Sequence, residues 1–335
     1  MIRLLALSAS ILAATIAATP AYHITHRYVL GGTGGWDYLS YDQASKRLYI
    51  SRSTHVMVVN PWTGEFVGDI LNAPSVHGIA LAPDLNKGFT SNGRDGTVTV
   101  FDLSTLAVVA TIKTDAKNPD AIVYEPVTKR VYTFNGGGND ATSIDATSNS
   151  VIATIPLGGR PEFAVADGRG AIYNNIEDKD QIVKIDARTN AIVARHDIAS
   201  CGGPSGLSMD TDHRRLFAAC DKHVAVIDAD SGAVIANVTS GAGTDATRFS
   251  KLFQNAYASN GRDATLTVVH ESTPAQFDAA ANVATETGAR TMEIDPQTGA
   301  VFLVTAKMDV NPSATNPRER YRAEPGTFTL LVLEP

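Results

Sequence analysis

The chain reads as an all-β protein, a seven-bladed β-propeller of four-stranded antiparallel blades. Three observations predict this: a unit of roughly 42 residues that recurs seven times, no helical periodicity beyond the first twenty residues, and a last unit that stops one strand short.

The N-terminus comes first. Arg3 precedes an apolar run from Leu4 to Ala18, and Thr19-Pro20-Ala21 supplies the small residues a signal peptidase cuts after. The run is short for a membrane span and no comparable one follows, so residues 1–21 are expected to be a secretory signal peptide and 22–335 a single propeller domain. The expected location is periplasmic or secreted, with no transmembrane segment after signal removal. Arg3 is the one charge lost with the leader, which leaves 27 basic residues against 35 acidic ones, a formal net charge of −8. Such a surface lacks the long-range attraction that drives non-specific nucleic-acid binding.

Two markers carry the repeat. A turn of the form D-x-x-(S/T) begins at Asn60, Asp102, Asp145, Asp186, Asp228 and, degenerately, Glu271, at spacings of 42, 43, 41, 42 and 43. An aromatic residue follows a polar turn at Tyr49, Phe89, Tyr132, Tyr173, Phe217, Tyr257 and Phe302. Within a unit, short runs rich in β-branched and aromatic residues alternate with Gly, Pro, Asn and Asp, as in Ala121–Tyr124, Arg130–Phe134, Ala141–Asp145 and Ser150–Ile155. The last unit has only three such runs, and Tyr22–Leu30 stands where the fourth belongs. That segment is expected to close the ring beside Thr327–Leu333, which removes the unpaired edges of the seam.

Segments such as Val98-Thr99-Val100-Phe101-Asp102, Val224-Ala225-Val226-Ile227-Asp228 and Val151-Ile152-Ala153-Thr154-Ile155-Pro156-Leu157-Gly158 resemble the YncE-like bacterial β-propellers with YVTN-type repeats, and the resemblance covers all of 22–335. It implies the propeller fold. It implies no catalytic residue, because that family has no shared catalytic signature, and no motif here carries over the DNA binding known for one member.

The two cysteines, Cys201 and Cys220, enclose 18 residues, and in an oxidising compartment a disulfide is the expected state. No CxxC or CxxCH motif is present.

In a propeller, the connection into each innermost strand and the turn between its second and third strands lie on one face, around the channel mouth. Twelve residues before the repeat aromatics stand Asp37, His77, Asp120, Ser205, Asp245 and Arg290; blade four is one residue shorter there and gives Glu162. With Trp36, these are the expected ligand-binding residues. Four carboxylates, an imidazole and a guanidinium suit a cation or a cationic group, and Asp37, His77, Asp120 and Glu162 are candidate ligands for a divalent metal. The competing reading is that short polar side chains here satisfy backbone N–H groups where strands begin. Lys307–Gly326 falls in the matching turn of blade seven and is expected to fold over the mouth as a lid, bringing Arg318, Arg320, Tyr321 and Arg322.

The function expected is non-catalytic binding of a small ligand, metal or protein partner at the mouth of a monomer. The alternative is a lactonase-type or lyase-type enzyme at the same place, with His77 as base, Arg290 stabilising negative charge, and a metal on Asp37, Asp120 or Glu162. Asn92–Asp95 and Asn260–Asp263 are expected as tight turns in which Gly supplies a positive φ. Gly136–Gly138 and Gly31–Gly35 lack the strand-to-helix context of a phosphate loop. His196, His213 and His223 lack metal-ligand spacing and are expected to be satisfied or solvated.

Overall fold

The computed structural model describes residues 21–310, 312–313 and 321–335, so the expected signal peptide lies outside the described residues but for Ala21. Among the described residues the strands form seven four-stranded antiparallel sheets and one small two-stranded sheet. Two single 3-10 turns, Pro83–Leu85 and Glu177–Lys179, interrupt them, and no helix is long and apolar enough to cross a membrane.

Blade one runs outward from Leu39–Asp42 through Arg47–Ser51 and Val56–Val59 to Phe66–Ile70, and blades two to six repeat this order over 76–113, 119–156, 161–197, 207–239 and 244–284. Blade seven is composite. Its strands are Met292–Ile294, Val301–Thr305, Thr329–Glu334 and, outermost, His23–Val29, with His23 opposite Glu334 and Val29 opposite Thr329. The N-terminal strand therefore closes the ring where the missing strand was expected. Tyr22 anchors it: its hydroxyl lies 2.7 Å from the Tyr257 hydroxyl and donates to the Gly299 carbonyl at 2.8 Å.

Packing explains the aromatic series. Tyr49, Phe89, Tyr132, Tyr173, Phe217, Tyr257 and Phe302 all lie on second strands and are fully buried between blades. Each such ring contributes roughly 2–3 kcal/mol by leaving water. Outermost strands face solvent instead, so Val67, Val109 and Ile152 stay exposed.

The D-x-x-(S/T) turns lie on the face opposite the mouth. Asp102, Asp145, Asp186 and Asp228 each accept backbone N–H groups two and three residues on, which closes the turn between third and fourth strands. Cys201 and Cys220 form a disulfide, Cα to Cα 4.7 Å, which ties the loop before blade five to the end of that blade's second strand.

The Asn-Gly turns correct one expectation. Their left-handed residues are Gly96 (φ 68°) and Ala264 (φ 54°), not Gly93 and Gly261. Those two glycines make room: a Cβ at Gly93 would stand 2.7 Å from His77 Nε2, and one at Gly261 would stand 2.6 Å from Arg290 Cβ. The Gly-rich segment 31–35 likewise has a structural use. Its carbonyls at Gly31, Thr33 and Gly35 accept from the buried Arg52 guanidinium, which lies 3.7 Å above the Phe328 ring.

Candidate functional site: the channel mouth

Each blade delivers its mouth residue at the point where regular pairing begins. In blades two, three, four and six the innermost strand shows a register irregularity beside His77, Asp120, Glu162 and Asp245. In the other three the strand starts just after Asp37, Ser205 and Arg290. A bulge or an unpaired start lets a side chain tilt off the sheet face toward the axis.

Asp37, His77, Asp120, Glu162, Asp245 and Arg290 line one cavity of about 630 Å³ together with Trp36. His77 Nδ1 stands 2.7 Å from Asp37 Oδ2 and 3.7 Å from Asp120 Oδ1. Across the opening, Arg290 Nε donates to Asp245 Oδ2 at 2.8 Å, its Nη2 donates to the Trp36 carbonyl at 3.0 Å, and it lies 3.9 Å from Asp37 Oδ1. Trp36 presents its ring beneath Arg290, 5.7 Å away, and packs on Phe328 at 5.5 Å. Glu162 has no hydrogen bond or ion pair from its carboxyl among the described residues.

Ser205 is the exception in the ring. It is not among the residues that line the cavity: its hydroxyl donates to the Thr244 carbonyl at 2.9 Å, a contact from blade five to blade six. The structure thus does not bring Ser205 together with the other six ring residues. In the lid segment, Met308–Val310 pairs with Tyr321–Ala323 as a hairpin, and Met308 reaches the cavity. Arg322 is exposed on that hairpin and does not line the cavity; Arg318 and Arg320, and the side chain of Tyr321, lie outside the described residues.

Sequence reasoning missed the floor. Tyr38 and Phe163 stack 4.4 Å apart beneath the carboxylates. The signal was available, because they directly follow Asp37 and Glu162 where other blades carry Gly, Ala or Thr.

The electrostatics follow from crowding. Burial, followed by repulsion from Asp120 and Asp245, lifts the Glu162 carboxyl to about 8. Asp120 is raised by burial, against the pull of His77 and with a push from Asp37 and Asp245. Asp245 is also raised by burial, although Arg290 opposes this and over a third of its side chain keeps water contact. His77 is raised: burial works against its charge, but the hydrogen bond to Asp37 and the fields of Asp120, Asp37 and Glu162 outweigh it. Tyr38, buried and beneath four carboxylates, is held well above its ordinary value, first by burial and then by their charge.

Chemically, this is a partly protonated acidic well with an aromatic floor and one guanidinium on its rim. The ligand atoms of Asp37, His77 and Asp120 lie within 4.8 Å of one another, close enough to hold one metal ion. Charge and proton uptake at the mouth are therefore coupled: a cation entering it would drive protons off Glu162 and Asp120.

No protein-family model matches the chain, and no curated protein sequence matches it either. Among solved structures, the WD40 repeats of RRP9 superpose with a TM-score of 0.76 at 8% identity, covering 95% of this chain and 98% of that one. A chain of a mitotic checkpoint complex gives 0.75 at 12% identity, covering 99% and 98%. Hydrazine synthase of Kuenenia stuttgartiensis gives 0.71 at 14% identity, covering 88% and 96%. Identities this low speak for architecture alone, and the chain is a seven-bladed β-propeller.

Proposed function

We propose that this protein is an exported, YncE-like propeller that binds a small cationic ligand at its channel mouth without chemical turnover. The observation that carries the reading is the mismatch of charge in the cavity: Asp37, Asp120, Glu162 and Asp245 face one guanidinium and one imidazole, and among the described residues the Glu162 carboxyl has no hydrogen bond or ion pair. A cation relieves that repulsion, and the fold gains stability by mass action. Export is supported by the apolar leader and by the disulfide, which is compatible with an oxidising compartment. The cavity volume accommodates an organic amine as well as a metal ion.

The enzyme reading draws on one observation, the His77–Asp37 pair facing Glu162, whose carboxyl burial lifts to about 8. The imidazole edge toward the carboxylates is Nδ1, and Nε2 lies against Gly93, so no free basic nitrogen faces the opening. Binding is favoured for that reason.

The test is calorimetric titration of the mature protein with Mg²⁺, Ca²⁺, Mn²⁺, Zn²⁺ and a panel of small primary amines and guanidines, in buffers of differing ionisation heat. Binding should release protons, and Asp120→Asn or Glu162→Gln should weaken it by about tenfold or more, the loss of a contact worth ~1.4 kcal/mol. If the variants bind every compound as the wild type does, the ring is turn chemistry and the binding surface lies elsewhere.

A further inference from the structure

We propose that Asp210, His213 and Glu271 form a second, separate site, one that takes a divalent metal of the zinc class and clamps blade five to blade six on the face opposite the mouth. The placement follows from the strands. Asp210 ends the innermost strand of blade five (Leu207–Asp210), His213 lies in the turn after it, and Glu271 lies near the end of the third strand of blade six (Thr265–Thr273).

Glu271 is the residue that needs an explanation. Its counterparts Asp102, Asp145, Asp186 and Asp228 cap a turn, but in blade six the strand runs on to Thr273, with a register irregularity between Glu271 and Thr273. The longer side chain is therefore not used by a turn. It is 3% exposed, and among the described residues its Oε2 has no hydrogen-bond partner. Its Oε1 stands 2.9 Å from His213 Nδ1, and the same nitrogen stands 2.8 Å from Asp210 Oδ2.

One Nδ1 carries at most one proton, which cannot be shared linearly between two carboxylates. With both carboxylates ionised, even a doubly protonated imidazole leaves the cluster with a net negative charge, which in a buried place is relieved either by a proton on Glu271 or by a further cation. Nearby cations are committed elsewhere: Arg215 to Asp228 at 2.6 Å and to the Pro274 carbonyl at 2.8 Å, Lys251 to Asp212 at 2.8 Å. Asp210 keeps its turn-capping role through the N–H groups of Asp212 and His213, which fixes its carboxylate in place as a coordinating residue's outer partners do.

The three donor atoms lie within 4.8 Å of one another. One imidazole nitrogen with two carboxylate oxygens suits zinc, cobalt or manganese, whereas calcium calls for more oxygens than this site offers. The His213 side chain is 40% exposed, so solvent supplies a route in and any remaining coordination position. A metal there would replace the Nδ1 proton and add a coordinate link between two blades already joined by the Lys251–Asp212 pair and the Arg215 contact to the Pro274 carbonyl.

The experiment uses the mature protein with the mouth disarmed by Asp37→Asn and Asp120→Asn, stripped with EDTA and titrated with zinc chloride and, for its visible spectrum, cobalt chloride. The expected result is one equivalent of zinc, a rise of a few degrees in the unfolding midpoint, and a cobalt spectrum of low coordination number. Glu271→Gln and His213→Ala should each abolish the cobalt spectrum and weaken zinc binding at least about tenfold; His213 is exposed enough that its loss leaves the fold intact. No zinc bound by the mouth-disarmed protein would overturn the proposal, as would unchanged binding in the His213→Ala variant. Neither outcome bears on the mouth, whose cation binding is read in the wild type.

Discussion

The two faces of the ring use the same side chains in opposite ways. On the turn face, Asp102, Asp145, Asp186 and Asp228 are held below the ordinary aspartate range, first of all by the backbone N–H groups they accept. On the mouth face, Asp120, Glu162 and Asp245 are held above the ordinary carboxyl range, first of all by burial, with a further push from neighbouring carboxylates, Asp37 among them. The residue type is the same and the backbone differs. Where the chain turns it offers N–H groups to an anion; where the innermost strands begin, the mouth carboxylates leave the sheet and face one another, His77 and Arg290. A carboxylate that closes a turn stabilises the fold by being charged, and a carboxylate at the mouth stabilises it by being neutral or by finding a cation.

The largest effect should come from Gly261→Ala. A methyl group there meets the Cβ of Arg290 at 2.6 Å and its Cα at 3.1 Å, so the blade seven backbone has to shift. A loss of about 2–3 kcal/mol is expected in urea unfolding. Because Arg290 would also leave Asp245, the mouth becomes still more acidic, and added Mg²⁺ or a diamine should recover more stability in the variant than in the wild type. Equal recovery would mean that Arg290 does not balance the mouth.

Glu162→Gln reads the mouth by pH. The folded carboxyl titrates at about 8, above its ordinary 4.5, so the folded state holds the proton longer than the unfolded one. Its contribution is full below the ordinary value and is lost as pH rises toward and through 8. The wild type should therefore lose stability across this window while the variant does not, the gap at pH 8.5 reaching on the order of 2 kcal/mol once the open, wet mouth is allowed for. Parallel pH profiles would show that Glu162 is solvated and ordinary.

A smaller effect of the opposite sign is expected from Asp145→Ala. It removes the acceptor for the Thr147 and Ser148 N–H groups and should cost about 1 kcal/mol at pH 7. The folded pKa is depressed, so this contribution is present above the unfolded value and lost as pH falls through the folded one. Wild type and variant should converge in acid, the reverse of the Glu162 pair, and ligand binding at the mouth should not change.

What the sequence discloses is what recurs in it. The 42-residue spacing, the buried aromatic of each second strand and the missing strand of the last blade are repeats or gaps in repeats, and so are the seven positions twelve residues or so before the aromatics. The repeat says where a side chain starts but not where it points: Ser205 occupies a mouth position and still turns to the Thr244 carbonyl. The glycines of the Asn-Gly turns read as backbone conformation in the sequence, whereas Gly93 answers to His77 of its own blade and to Asn118, and Gly261 to Arg290 of the next blade. His213 and Glu271 show the same limit most sharply, since their meeting depends on the packing of one blade against another and has no local signature.

The closing strand has a consequence in time. His23 pairs with Glu334, which is synthesised much later, so the first strand of the ring waits for its partner, and its closure spans the whole ring. The same seam divides the mouth: Asp37 follows the closing strand, and Arg290, 3.9 Å from it, belongs to the blade that strand completes. A chain that has not yet made blade seven thus has no finished mouth, because Asp37 and Arg290 stand on opposite sides of that seam.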